Sequence, residues 1–470
     1  MLGTHVAAAA LTFSASKSKS RPQNARDGGD SCFTLQDENV VSGYFADLIA
    51  FYFGQDALGL RMQAYDDMLW VVLGWLDGVR LVEGHSGGHF SARDEGMNLT
   101  WYGGRFVPGF AHRARIFWEL AAEGWDEELC GGGMVWSPWL TPYKNAITNQ
   151  LFIAASVDMY LYFPGDDNGF PFVGAGEKLP KRHDSKFLEA AVKGYDWLMD
   201  SNMTDDRGLF FDGFHVRGWS KNGNGTGKCD VPDKMVYTYN QGVILSAHRG
   251  LWSATGRLDY LTAGHGLIRN VVAATGWSIE DNAVVAAEWS GLGRNGVLED
   301  ACDSGGYCSQ DGQTFKGIFF HHLTVFCQPL PLEPQKPPFH KADRFTASLH
   351  LQSCLDYLPW VQRNADAAIG TMNDDGVFGM WWTIGLGPVH KTATSPQPSV
   401  GEVDYRNRGV PNNELWRLSD TQADTNRFLP GRSKSAFKDP NDRGRGRTVE
   451  TQSGGVAVLR ARSVLQGLVI

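Results

Sequence analysis

The chain has no apolar run approaching the ~18 residues that a membrane-spanning helix needs. Val6 to Phe13 is short and lacks a preceding basic segment, so it is not read as a signal peptide. Val464 to Ile470 is too short to serve as a lipid-anchor tail signal. Basic residues are outnumbered, 43 Lys+Arg against 52 Asp+Glu, and the net charge of −9 argues against nucleic acid or an anionic membrane surface as partner. Cysteine is sparse and odd in number, with seven residues at 32, 130, 229, 302, 308, 327 and 354. No CxxC pair or zinc-ligand spacing occurs, and the count falls short of a disulfide scaffold, although Cys302 and Cys308 could bridge within one loop. Strand-like alternation is scarce as well, which leaves a helical protein as the main option.

What the chain has is apolar and aromatic. Hydrophobic residues make up 42% of the 470 and charged residues 20%, enough for a sizeable core. Sixteen tryptophans could stack on the apolar faces of a saccharide or simply fill a large helical core. Three glycosylation sequons, at Asn98, Asn202 and Asn224, lean towards secretion.

Stripes of 3.6-residue period run over 65–83, 109–123, 145–163, 184–201, 237–255 and 259–276, with shorter ones near 314–327, 343–369 and 448–466. Nine or ten helices joined as hairpins are therefore expected, in an all-α fold. Residues 14–30 are polar and turn-rich and are read as disordered, within an atypical segment 1–39. Residues 40–470 are read as a single domain. The Pro-rich stretch 328–342 and the polar stretch 390–447, which ends on Arg443, Arg445 and Arg447, are read as surface insertions.

Several motifs fail on context. Gly84-His85-Ser86-Gly87-Gly88 fits a nucleophile elbow but follows a helix, where the elbow needs a strand. Gly291 to Gly296 fits a dinucleotide fingerprint but has no strand upstream. His321-His322 on a helical stripe reads as one core and one surface histidine rather than as metal ligands.

Asp66-Asp67 sits at the start of a strongly apolar helix. On spacing alone helix capping is the simpler account, since acidic groups in a first turn meet free N–H groups and the macrodipole. The chemical alternative is a carboxyl pair. Retaining glycosidases need two carboxyls about 5–5.5 Å apart, one to attack the anomeric carbon and one, with a raised pKa, to protonate the leaving oxygen. Downstream come Cys130-Gly131-Gly132-Gly133-Met134-Val135-Trp136, then Lys144-Asn145-Ala146-Ile147-Thr148-Asn149, then Tyr239-Asn240-Gln241-Gly242, then Asp311 with Phe315-Lys316-Gly317. Asn145 and Asn149 share one helix face although Asn is a poor helix former. Four helix starts thus carry amide, carboxyl or tyrosine groups, as one end of a helical barrel would if it bound a neutral polyhydroxy ligand.

In this order the segments resemble glycoside hydrolase family 76, the α-1,6-mannanases and their fungal cell-wall relatives, from about Ala64 to Phe326 with an echo at Glu450 to Gly454. The resemblance implies an (α/α)6 barrel and endo-hydrolysis of α-1,6-mannan with retention of configuration. It implies Asp66 as nucleophile and Asp67 as acid/base, with Trp136, Asn145, Asn149, Tyr239, Asn240, Gln241, Asp311 and Lys316 in the cleft. No metal or cofactor is implied. The expected partner is α-mannan or another mannose-containing wall glycan, met by a monomer outside the cell or in its wall. Such a barrel needs about two helices before Asp66-Asp67, and only Val40 to Phe53 shows a candidate, so the first hairpin is expected to be incomplete. Transglycosylation by the same residues, an inactive saccharide-binding relative and a histidine-dependent sugar epimerase are the rival readings. No histidine flanks the aspartate pair.

Overall fold

In the computed structural model, the described residues are 1–18, 33–54, 62–90, 101–170, 178–333, 338–387, 396, 399–407 and 439–469. Twelve α-helices occur among them: α1 (Leu2–Ser18), α2 (Leu35–Gly54), α3 (Tyr65–His89), α4 (Val107–Ala122), α5 (Ala146–Tyr162), α6 (Ser185–Asp200), α7 (Thr238–Thr255), α8 (Leu258–Ala273), α9 (Phe315–Phe326), α10 (Arg344–Asp356), α11 (Leu358–Ile369) and α12 (Val449–Gln466). The periodic stripes locate nearly all of these. The stripe over 343–369 divides in two because Pro359 has no N–H to continue the first helix and suits the opening turn of the next.

The helices pack as a ring with an outer layer. α3 packs on α5, α5 on α7, α7 on α9, α9 on α12, α12 on α1, and α1 on α3. Outside them, α2 lies on α1, α4 on α3, α6 on α5, α8 on α7 and α11 on α12. The ring helices are buried nearly all round: Ala146 to Val157 of α5 and Thr238 to His248 of α7 are all buried. An outer helix such as α6 buries one stripe, Phe187, Ala191, Tyr195 and Leu198. Glycines let ring helices close on one another. A Cβ on Gly317 of α9 would lie 2.7 Å from the Cα of Gly454 of α12. These motif glycines therefore serve packing.

Two expectations are corrected here. Leu2–Ser18 is a helix of the inner ring, so both helices upstream of Asp66 exist and the ring begins well before residue 40. Its first half is Ala-rich, a composition that favours helix without producing a marked stripe. Ser14 to Ser18, read as disordered, belongs to it, and 19–30 lies outside the described residues. The histidine pair is also different, because both His321 and His322 are buried, bonded to Arg460 and Ser246.

Short strands decorate one end of the ring. β1 (Tyr143–Asn145), β2 (Phe211–Val216) and β3 (Cys229–Val236) form an antiparallel sheet in that order, with Lys144 opposite Phe214. Six cysteines form three disulfides: Cys130–Cys229, Cys302–Cys308 and Cys327–Cys354. Cys32 lies outside the described residues. No helix among the described residues is long and apolar enough to cross a membrane.

Candidate active site

Asp66 and Asp67 occupy the first turn of α3. Ala64, at the N-cap, offers no side-chain cap, so the aspartates meet part of the helix's need for acceptors. Asp66 accepts from its neighbour's backbone N–H at 2.9 Å, and the Ala64 backbone amide supports the Asp67 carboxylate. Capping is thus real. It does not account for the remaining contacts, because both carboxyls also face a cavity of about 420 Å³ shared with Trp136, Tyr239, Asp311 and Arg406.

The loop that carries Trp136 is held from several sides. Cys130 is tied to β3 by its disulfide, and three glycines with positive φ follow it. Gly133, at φ +88°, must lack a side chain, since a Cβ there would lie 2.5 Å from the Trp197 ring. Lys144, fully buried, donates to Gly133 O at 2.6 Å, and burial lowers its ammonium pKa to about 8. Asn149 accepts from Met134 N at 2.7 Å and donates to Met134 O at 3.2 Å. Fixed in this way, Trp136 Nε1 donates to Asp66 Oδ2 at 3.0 Å.

Asp66 is only 8% exposed, whereas Asp67 is open to the cavity. Burial and then the neighbouring Asp67 charge push Asp66 up to about 7, against Arg406 and its two N–H donors. Burial and then Asp311 raise Asp67. Two such neighbouring carboxyls titrate as a pair. The directional donors favour the charge on Asp66, and the repulsion from Asp311 favours the proton on Asp67.

Tyr239 lines the same cavity. Its ring stacks on Phe315 at 4.0 Å, and its buried hydroxyl has no hydrogen-bond partner among the described residues. Arg406 stands 5.1 Å over the Trp136 ring and 3.8 Å from Asp212 Oδ1. Asp212 is itself buried and accepts from the Tyr143 hydroxyl at 2.7 Å and from Asn240 Nδ2 at 3.3 Å.

Five residues expected in the cleft lie behind it. Asn145 is the N-cap of α5, accepting from Thr148 N at 3.3 Å. Asn149 braces the glycine loop. Asn240 positions Asp212, and Gln241 is spent on Phe210 N, Phe210 O and Tyr237 O. Lys316 is buried against Asp303 at 2.5 Å. Each sits at a helix start where orphan backbone groups or a buried carboxylate claim it before a ligand could.

Sequence reading missed Asp212 and Arg406. Asp212 had a signal, a lone carboxylate in Phe210-Phe211-Asp212-Gly213-Phe214, which must be satisfied if buried. Arg406 had none, since it falls in the stretch read as a surface insertion. The described part of that stretch instead docks as a wall of the site: Lys234 N donates to Gly401 O, Val403 N to Asp233, and the Tyr237 hydroxyl to Asp404. The basic end is likewise structural, with Arg447 donating to Thr371 O and Val377 O.

Among the described residues, two clusters bring metal-ligating atom types together, His265-His350-Cys354 and Cys302-Asp303-Cys308, but every cysteine in them is already in a disulfide.

The site thus sets a carboxyl pair among aromatic rings within a ring of paired helices. The chain belongs to glycosyl hydrolase family 76, whose model matches residues 106–385. That match includes Trp136, Tyr239 and Asp311 and leaves Asp66, Asp67 and Arg406 outside it. Among curated proteins it is 26% identical over 225 residues to the mannan endo-1,6-alpha-mannosidase DFG5 of Saccharomyces cerevisiae, covering 46% of this chain and 39% of that protein. It is 24% identical over 233 residues to the mannan endo-1,6-alpha-mannosidase DCW1 of Candida glabrata, covering 48% and 42%. The matched region thus spans about two fifths of these relatives' length. The fold is shared with the alpha-1,6-mannanase GH76A of Salegentibacter sp. HEL1_6, in an inactive variant with two consecutive aspartates replaced by alanine, bound to alpha-1,6-mannotetrose. That likeness has a TM-score of 0.51 and 17% identity, covering 99% of this chain and 89% of the other.

Proposed function

We propose that this chain cleaves α-1,6-mannosidic bonds within mannan by double displacement, with Asp66 as nucleophile and Asp67 as acid/base. The observation that carries the reading is the placement of two consecutive aspartates, one buried and bonded to an indole N–H and one open, at the wall of a cavity lined by aromatic rings. Asp66 attacks the anomeric carbon while Asp67 gives its proton to the departing glycosidic oxygen, leaving a glycosyl ester on Asp66. Asp67, now ionised, takes a proton from water as that water attacks the same carbon. The ester bond to Asp66 breaks, and configuration is retained overall. Trp136 and Arg406 favour the ionised form of Asp66 against its burial, the Asp311 charge favours the protonated form of Asp67, and the Tyr239 hydroxyl is free for a sugar hydroxyl. The mannotetrose-bound relative, inactive once its consecutive aspartates are replaced, supports both the substrate and the pair.

We further propose that the chain works as a monomer in an extracellular or cell-wall setting. Three disulfides suit an oxidising compartment, and the sequon residues Asn202 and Asn224 are exposed, while Asn98 lies outside the described residues. The deciding experiment incubates wild type, Asp66→Asn and Asp67→Asn with unbranched α-1,6-mannan and measures new reducing ends. Wild type should release them and both variants should lose at least a hundredfold in rate. Equal rates in all three would refute the assignment.

A further inference from the structure

Trp139 is 61% exposed, flanked by Leu140 at 55% and met by Met62 at 53%. Single exposed apolar residues need no explanation, but these three adjoin one another on the two segments that carry Trp136 and Asp66. The indole is also held in place: its Nε1 donates to Met62 O at 3.1 Å, and Trp139 N donates to Ser137 Oγ at 3.3 Å. The ring therefore keeps its polar edge occupied and turns its apolar face to solvent. An aromatic face held open in this way suits the C–H face of a sugar.

Its position relative to the catalytic pair is constrained by the chain. Trp136 and Trp139 belong to one loop, closed at its base where Trp136 N donates to Tyr143 O at 2.8 Å. The loop is tied to the start of α3 twice, through Tyr65 N donating to Trp136 O at 2.9 Å and through the Trp139–Met62 bond. The two tryptophans are three positions apart, so their Cα atoms are at most about 11 Å apart. One indole thus bonds Asp66 within the cavity, and the other stands exposed on the same loop, outside the cavity lining.

We propose that Trp139 is a second sugar platform, which stacks on a mannosyl unit further along the glycan whose bond is cut at Asp66-Asp67. The proposal rests on the mannan reading of the cavity. It makes Trp139 a determinant of chain-length preference: a short oligosaccharide fills the cavity alone, and a longer one also reaches the outer ring.

The test compares kcat/KM on α-1,6-mannotriose and α-1,6-mannohexaose for wild type, Trp139→Ala and Trp139→Phe, with thermal unfolding as a control for folding. The hexaose-to-triose ratio should fall about three- to tenfold in Trp139→Ala, through KM, and largely recover in Trp139→Phe. An unchanged ratio, or an equal loss on both substrates, overturns the platform. Calorimetric titration of mannohexaose into the Asp67→Asn protein, with and without Trp139→Ala, separates this proposal from the catalytic one. Weakened binding in the double variant keeps the platform even if wild type cleaves nothing, and no hexaose binding at all overturns it.

Discussion

Replacing Trp136 by phenylalanine removes one hydrogen-bond donor from Asp66 and keeps an aromatic face beneath Arg406. A hydrogen bond to a charged acceptor contributes about 1.5–3 kcal/mol. Because the indole N–H stabilises the ionised form, its loss raises the Asp66 pKa by about one to two units. The assay is kcat/KM against pH on α-1,6-mannan. The active pair has one proton, so the acidic limb reports protonation of whichever carboxyl carries the charge. If that is Asp66, the acidic limb of Trp136→Phe moves up by about one to two units, and kcat/KM at pH 5 falls about 10- to 100-fold. Loss near the optimum should be smaller. If the alkaline limb moves instead, Asp66 holds the proton and the two roles are exchanged. No movement of either limb would refute the claim that the indole controls this carboxyl.

Arg406→Gln removes the cation that stands against Asp66 and leaves Asp212 buried without its ion pair, so kcat/KM should drop at least tenfold and Tm should fall by a few degrees, read by steady-state kinetics and calorimetry. Asp66→Asn should raise Tm, and by more at pH 8 than at pH 5. The folded pKa near 7 lies above the ordinary 3.8, so ionisation penalises the folded chain increasingly as pH rises from about 4 to 7, and the amide removes that penalty. Gly317→Ala places a Cβ 2.7 Å from the Gly454 Cα and should destabilise by about 1–3 kcal/mol in denaturant titration. Opening the Cys130–Cys229 bridge by double serine substitution should lower kcat more than KM, since the glycine loop that aims Trp136 loses its anchor.

Local sequence determined the helices and the place of the aspartate pair. The 3.6-residue stripes of α4, α6 and α8 can be read directly because each outer helix turns one apolar face to the core. Asp66-Asp67 at the start of α3 was equally legible. Whether the pair merely caps the helix or also faces a cavity was not, because both arrangements use the same residues at the same spacing. The same ambiguity misplaced Asn145, Asn149, Asn240, Gln241 and Lys316. An amide or ammonium near a helix start can serve a ligand or a stranded backbone group, and only packing decides which lies within reach. Tertiary structure also brought α1 into the ring beside α12 and carried Arg406 to the carboxyl pair 340 positions away in the chain. Neither contact has a local signature, because each depends on surfaces complementary only after the ring has assembled.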